Sequence, residues 1–162
     1  FPSYSITNNS KNGRTIEELV SVTDSITGNH ELILLQIGGN DILHKRDSTV
    51  VESELRTIVE RLSAHTENLV MLSTGNVGGA SALSEMESAY YERITRVFRD
   101  MFIQVSADTT LTYVDLFVEP ENDPFVTEPE IYLSVDGLHP SNAGYDLWYQ
   151  QLRPILLQKL TE

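Results

Sequence analysis

The stretch Glu31-Leu32-Ile33-Leu34-Leu35-Gln36-Ile37 runs directly into Gly38-Gly39-Asn40-Asp41. Its first half is a nearly continuous apolar run, the pattern of a strand covered on both faces in a parallel sheet. Its second half puts two glycines before two polar residues, which suits a tight turn where backbone can approach a ligand closely. A buried strand that ends on such a turn belongs to an open α/β sheet, whose ligands sit beyond the carboxyl ends of the strands.

Working outward, strand-like and helix-like periodicities alternate. Tyr4 to Thr7 reads as a short strand. Thr15 to Val22 reads as a helix with Ile16, Leu19 and Val20 on one face. Beyond the central stretch, a helix starting at Ser48 or Thr49 turns Val51, Leu55, Ile58 and Leu62 inward, and Asn68 to Ser73 is a second buried strand. The longest helix spans Ser84 to Ala107, with Ile94, Val97, Phe98, Met101, Phe102 and Val105 at helical spacing. Leu111 to Val114 is the last strand, followed by a long loop from Glu119 to Asp136. Ser141 to Leu160 closes the chain as a helix expected to bend near Pro154. This alternation predicts three α/β/α layers around a central parallel sheet, in a single domain spanning residues 1–162. It directs attention to four loops: residues 8–14, 38–47, 74–83 and 115–140.

Composition narrows the function. The 162 residues carry a formal net charge of -13, which opposes nucleic acid or an anionic membrane as a partner. The absence of cysteine removes disulfides, thiolate metal sites and a cysteine nucleophile. No apolar run approaches the roughly 20 residues that span a bilayer. His30 and His65 read as solvent-facing, and His44, three residues beyond Asp41, as a surface residue near the cleft mouth. With no cluster of spaced ligands, neither a metal nor a cofactor is expected.

Three constellations could carry chemistry. In Asp136-Gly137-Leu138-His139-Pro140, the acid lies three residues before the histidine and can reach its Nδ1. That contact fixes the tautomer and stabilises the imidazolium formed when the ring takes a proton. Taken alone, it is equally a packing contact in a loop. Asn40 on the Gly38-Gly39 turn can aim its amide N–H at a developing oxyanion, although a turn capped by Asp41 explains the same residues. In Asn8-Asn9-Ser10-Lys11-Asn12-Gly13-Arg14-Thr15, Gly13 can present a free backbone N–H while Thr15 caps the next helix. An ordinary strand-to-helix turn explains that too.

Together and in this order, the three resemble the SGNH (GDSL-type) hydrolase family. The family's Asn-x-Ser/Gly-x-x-Gly-x-Thr turn is matched by Asn8, Ser10, Gly13 and Thr15, and its Gly-x-Asn-Asp block by Gly38, Asn40 and Asp41. Its Asp-x-x-His block is matched by Asp136 and His139, with Pro140 and then Ala143-Gly144-Tyr145 following. The resemblance implies a flavodoxin-like fold and ester hydrolysis through an acyl-serine intermediate. It makes His139 the general base and Asp136 its orienting partner. Gly13 and Asn40 become oxyanion donors, with Ser10, Gly38, Gly39 and Asp41 lining the site. Implied substrates are small-molecule esters: lipid esters, thioesters, aryl esters or acetylated sugars. Leu116, Phe117, Phe125, Ile131 and Tyr132 could form an acyl pocket or could simply pack under the long loop.

The family's nucleophile turn, Gly-Asp-Ser after a first strand, has no counterpart before Asn8. Thr23-Asp24-Ser25 imitates it in letters but follows a helix rather than a buried strand, and Ser3, Ser5 and Ser10 have no better context. A strand, turn and helix of roughly 30 residues is expected upstream of Phe1, so residues 1–162 alone should be inactive and marginally stable. A non-catalytic protein that keeps the cleft for a carbohydrate or acyl ligand is the competing reading. A phosphate binder is disfavoured because residues 8–15 hold a single glycine.

Overall fold

The computed structural model describes residues 4–161. Three strands, β1 (Ile33–Gln36), β2 (Leu69–Leu72) and β3 (Thr112–Val114), form a parallel sheet in that order, with Ile33 opposite Leu69 and Val70 opposite Thr112. Parallel neighbours need crossover connections, and the helices supply them.

On one face lie α1 (Ile16–Thr23), α3 (Ser48–Ser63) and α4 (Glu85–Asp108). Their apolar stripes, including Ile16, Val51, Leu55, Ile58, Phe98, Phe102 and Val105, pack with Leu35, Leu69 and Met71 of the sheet. On the other face, α7 (Asn142–Thr161) buries Trp148, Leu152 and Leu156 against Val70, Leu72 and Val114. The result is the three-layer α/β/α arrangement expected from the alternating pattern. Helix starts follow local chemistry. Thr15 with Glu18 and Ser84 with Glu87 form capping boxes, and Asp47 accepts the Thr49 and Val50 N–H groups.

Several expectations are corrected. Tyr4 to Thr7 forms no strand. A strand exists only by pairing, and among the described residues no ladder includes this segment; Ile6 is 83% exposed. The Leu32–Leu35 run is not covered on both faces: Leu35 is buried but Leu34 is 43% exposed. Among the described residues β1 is an edge strand, and α7 packs over β2 and β3. Val97 faces out, just off the stripe that buries Phe98 and Met101.

Residues 38–47 are not all loop, because α2 (Gly39–Leu43) forms immediately after the turn. The long loop after β3 holds a 3-10 turn at Pro120–Asn122 and two one-turn helices, α5 (Pro124–Thr127) and α6 (Pro129–Tyr132). Prolines fit first-turn positions whose N–H would have no partner. At the other end of the chain, α7 runs unbroken through Pro154.

Candidate active site

Because the strands are parallel, their carboxyl ends share one edge of the sheet, and the loops of interest leave from that edge. After β1 the chain turns at Gly38, whose φ of +103° is left-handed. A Cβ there would sit 2.7 Å from Cζ of Phe102, so only glycine lets the backbone pass over that ring. Gly39 faces the Thr74 side chain, and α2 starts at once.

The first turn of α2 carries Asn40 and Asp41. Asn40 Nδ2 donates to the Arg14 carbonyl oxygen at 3.1 Å. Asp41 is fully buried, and its carboxylate accepts the Ile16 N–H at 3.1 and 3.2 Å and Arg46 Nη1 at 2.8 Å. Burial raises the Asp41 pKa, while the bonds from Arg46 and Ile16 act in the opposite direction. Gly13, φ +77°, is exposed one residue before the Arg14 anchor, with nothing within 4 Å of where a Cβ would lie. Ser10 is exposed, and its N–H bonds Asn8 Oδ1 at 2.9 Å. Residues 13–16 and 38–41 therefore form one unit, joined by two side chains of α2.

Asp136 and His139 occupy a compact loop between α6 and α7. Leu133 bridges Pro140, the Ser134 N–H donates to the His139 carbonyl at 2.8 Å, and Gly137 adopts φ +65°. Asp136 Oδ2 meets His139 Nδ1 at 2.7 Å. Its Oδ1 accepts the Ser134 hydroxyl at 2.7 Å and the Leu138 and His139 N–H groups at 2.9 Å each. These bonds, the Ser134 hydroxyl foremost, hold the Asp136 carboxyl well below the usual carboxylate range. The engaged Nδ1 makes Nε2 the nitrogen available to take a proton. Both side chains are open to solvent, 66% for His139 and 50% for Asp136. The Ala82 N–H, in the loop beyond β2, donates to Gly137 O at 3.1 Å and ties this loop to its neighbour.

Other expectations meet mixed outcomes. Ser25 lies past the end of α1, where its hydroxyl donates to Val22 O at 2.7 Å. The chain from there leads to the opposite, amino-terminal edge of β1, away from His139. Ser5 is exposed and Ser3 lies outside the described residues. His30 and His44 are exposed as expected, but His65 is half-buried with Nδ1 bonded to Gly28 O at 2.8 Å. Leu116 and Phe125 are core residues, and the Arg96 and Arg99 guanidiniums stack on Phe117. A cavity of about 260 Å³ lies nearby, between Gly78–Ser81, the start of α4, and Phe125–Pro129.

Ser134 and Arg46 were missed in the sequence. Ser134 carries a weak signal, a hydroxyl two residues before the acid, whereas Arg46 carries none that a charged surface residue would not share.

No group of three or more acidic or histidine side chains that could hold a metal ion occurs among the described residues. None of the described helices is long and apolar enough to cross a membrane.

The sequence profile of the GDSL-like lipase/acylhydrolase family matches residues 2–147. No curated protein sequence matches the chain. Among solved structures, a member of the lipolytic protein G-D-S-L family from Veillonella parvula aligns with a TM-score of 0.77 at 16% identity, over 98% of this chain and 83% of its own. TesA aligns with a TM-score of 0.74 at 19% identity, over 98% and 81%. A mutant of Axe2, an acetyl-xylooligosaccharide esterase from Geobacillus stearothermophilus, gives a TM-score of 0.65 at 19% identity, over 93% and 69%. At such identities these likenesses establish the fold.

Proposed function

The chain belongs to the GDSL-like lipase/acylhydrolase family, and on that premise we propose that it supplies the base and oxyanion donors of a serine ester hydrolase whose nucleophile lies upstream of Phe1. The observation that carries this reading is the 2.7 Å bond between Asp136 and His139 Nδ1, in a loop at the strand ends that also bear Asn40. In this mechanism His139 Nε2 takes the serine proton as the hydroxyl attacks the ester carbonyl. It then returns that proton to the leaving alcohol, and a second cycle with water releases the acid. Asp136, ionised throughout, stabilises the imidazolium between those transfers. Asn40 Nδ2 and the Gly13 N–H receive the charge that develops on the carbonyl oxygen. Asn40 keeps one amide hydrogen on Arg14 O, and among the described residues its second meets no acceptor, which suits that purpose.

Substrates in keeping with the family are small-molecule esters, with lipid, thioester, aryl and acetylated-sugar esters as candidates. The test uses the gene product including its upstream segment, assayed on short p-nitrophenyl esters. His139→Ala should lower kcat/KM by about 10³-fold. Unchanged turnover in that variant removes His139 as the base. An upstream strand with no serine after it, in a protein without esterase activity, favours the non-catalytic reading.

A further inference from the structure

Arg46 has no part in the chemistry above, yet it is the partner that the buried Asp41 depends on. We propose that Arg46 is a positioning residue, which holds the Asn40 amide and the Gly13 turn in register through the Asp41 carboxylate. The inference rests on the reading of Asn40 and Gly13 as oxyanion donors.

The geometry is specific. Just past α2, Lys45 adopts a left-handed conformation with φ +54°, rare for a residue with a side chain. The Arg46 N–H then donates to Asp41 O at 3.0 Å, and the chain folds back on the helix it has left. Nη1 of Arg46 reaches Asp41 Oδ1 and Glu54 Oε2, both at 2.8 Å, and Nη2 reaches Glu54 Oε1 at 2.8 Å. Nη2 also lies 3.3 Å from Glu17 Oε2. One guanidinium thus joins α1, α2 and α3.

Asp41 is the point through which this acts. Its carboxylate receives the first N–H of α1, at Ile16, while its neighbour Asn40 holds Arg14 O. The Gly13 turn is thereby tied to α2 at two adjacent residues. The charged side chain in contact with Asp41 is Arg46, and Glu54 of α3 and Glu17 of α1 meet the same guanidinium. From α4 the Tyr91 hydroxyl reaches α2 at Leu43 O, and the packed 3-10 turn Val77–Gly79 brings no charge. Arg46 is therefore the group that compensates this buried carboxylate. A protonated Asp41 would be a poorer acceptor for Ile16 and would release the turn.

The test compares wild type, Arg46→Met and Arg46→Lys in the full protein. Amide resonances of Ile16 and Gly13 and the Asn40 side-chain amide are followed against pH by ¹⁵N–¹H NMR. In Arg46→Met their titration midpoint should rise by about one pH unit or more, and Arg46→Lys should recover part of the shift. On p-nitrophenyl esters, kcat should fall about tenfold in the Met variant with KM little changed. An Arg46→Met protein that loses thermal stability but keeps the wild-type titration and kcat overturns the proposal, because Arg46 is then only a brace. Should Arg46→Met not fold, Arg46→Gln, which removes the charge but keeps a polar donor, should shift the midpoint in the same direction, and no shift overturns the proposal. The NMR readout needs no turnover, so failure of the ester-hydrolase reading and failure of this inference remain distinguishable.

Discussion

The loop from Leu133 to Pro140 holds its functional side chains by bonds within itself, whereas the turn after β1 is held by residues drawn from α1, α3 and the Arg46 fold-back. Their two carboxylates show what this means physically. Asp136 is open to solvent and pushed down by four short-range bonds from three residues, all within three positions of it. Asp41 is buried and pushed up by desolvation, with Arg46 opposing the shift. A locally built site keeps its geometry when its neighbours move. A site built on a buried charge depends on every group that compensates that charge.

The largest expected effect tests this contrast directly. Asp41→Ala should cost about 3 kcal/mol of stability, since it strands the buried Ile16 N–H and takes from Arg46 one of its three carboxylates, leaving Glu54 and Glu17. Asp136→Asn should lower the unfolding midpoint by less, because this carboxylate is open to solvent. Chemical denaturation of both variants is the measurement, and equal losses would remove the distinction. Gly38→Ala should cost about 2 kcal/mol, from the left-handed backbone and from pressing a methyl into Phe102. Its loss should be shared by the Asn40 side of the site and leave the Asp136–His139 chemical shifts unchanged.

Smaller effects concern Asp136. Its folded-state pKa is depressed, so its contribution to stability is present above the ordinary carboxylate range and disappears as pH falls through the folded value. Across about pH 5 to 8 it stays ionised, and any acid limb in kcat/KM there must come from another group. Ser134→Ala removes the leading cause of the depression and should raise the Asp136 value toward that of an ordinary carboxylate. It should lower kcat at neutral pH only a few-fold, and a loss as large as that of His139→Ala would give Ser134 a direct catalytic part.

The same contrast explains how much could be read in advance. Asp136 and His139 are three residues apart, and a short loop closed by Leu133 and Pro140 is enough to join them. The helix stripes at Val51, Leu55, Ile58 and Leu62 were also legible, because a 3.6-residue period needs only local sequence. Leu34 was misjudged. Apolar content says that a residue can be buried, whereas its exposure depends on where α7 lies. The Tyr4–Thr7 segment failed as a strand for a related reason, since a strand is defined by its neighbour.

By itself, then, the sequence determined the alternation of strands and helices, the turn at Gly38, and the Asp136–His139 pair, all set by spacing within a few residues. Only the tertiary structure decided that Asp41 is buried rather than a surface cap, that Arg46 answers its charge, and that Asn40 anchors Arg14. The contacts to Arg14 and Ile16 join segments far apart in the chain, Arg46 reaches Asp41 only because the chain folds back after α2, and the energies arise from excluding water, which no local pattern of residues records.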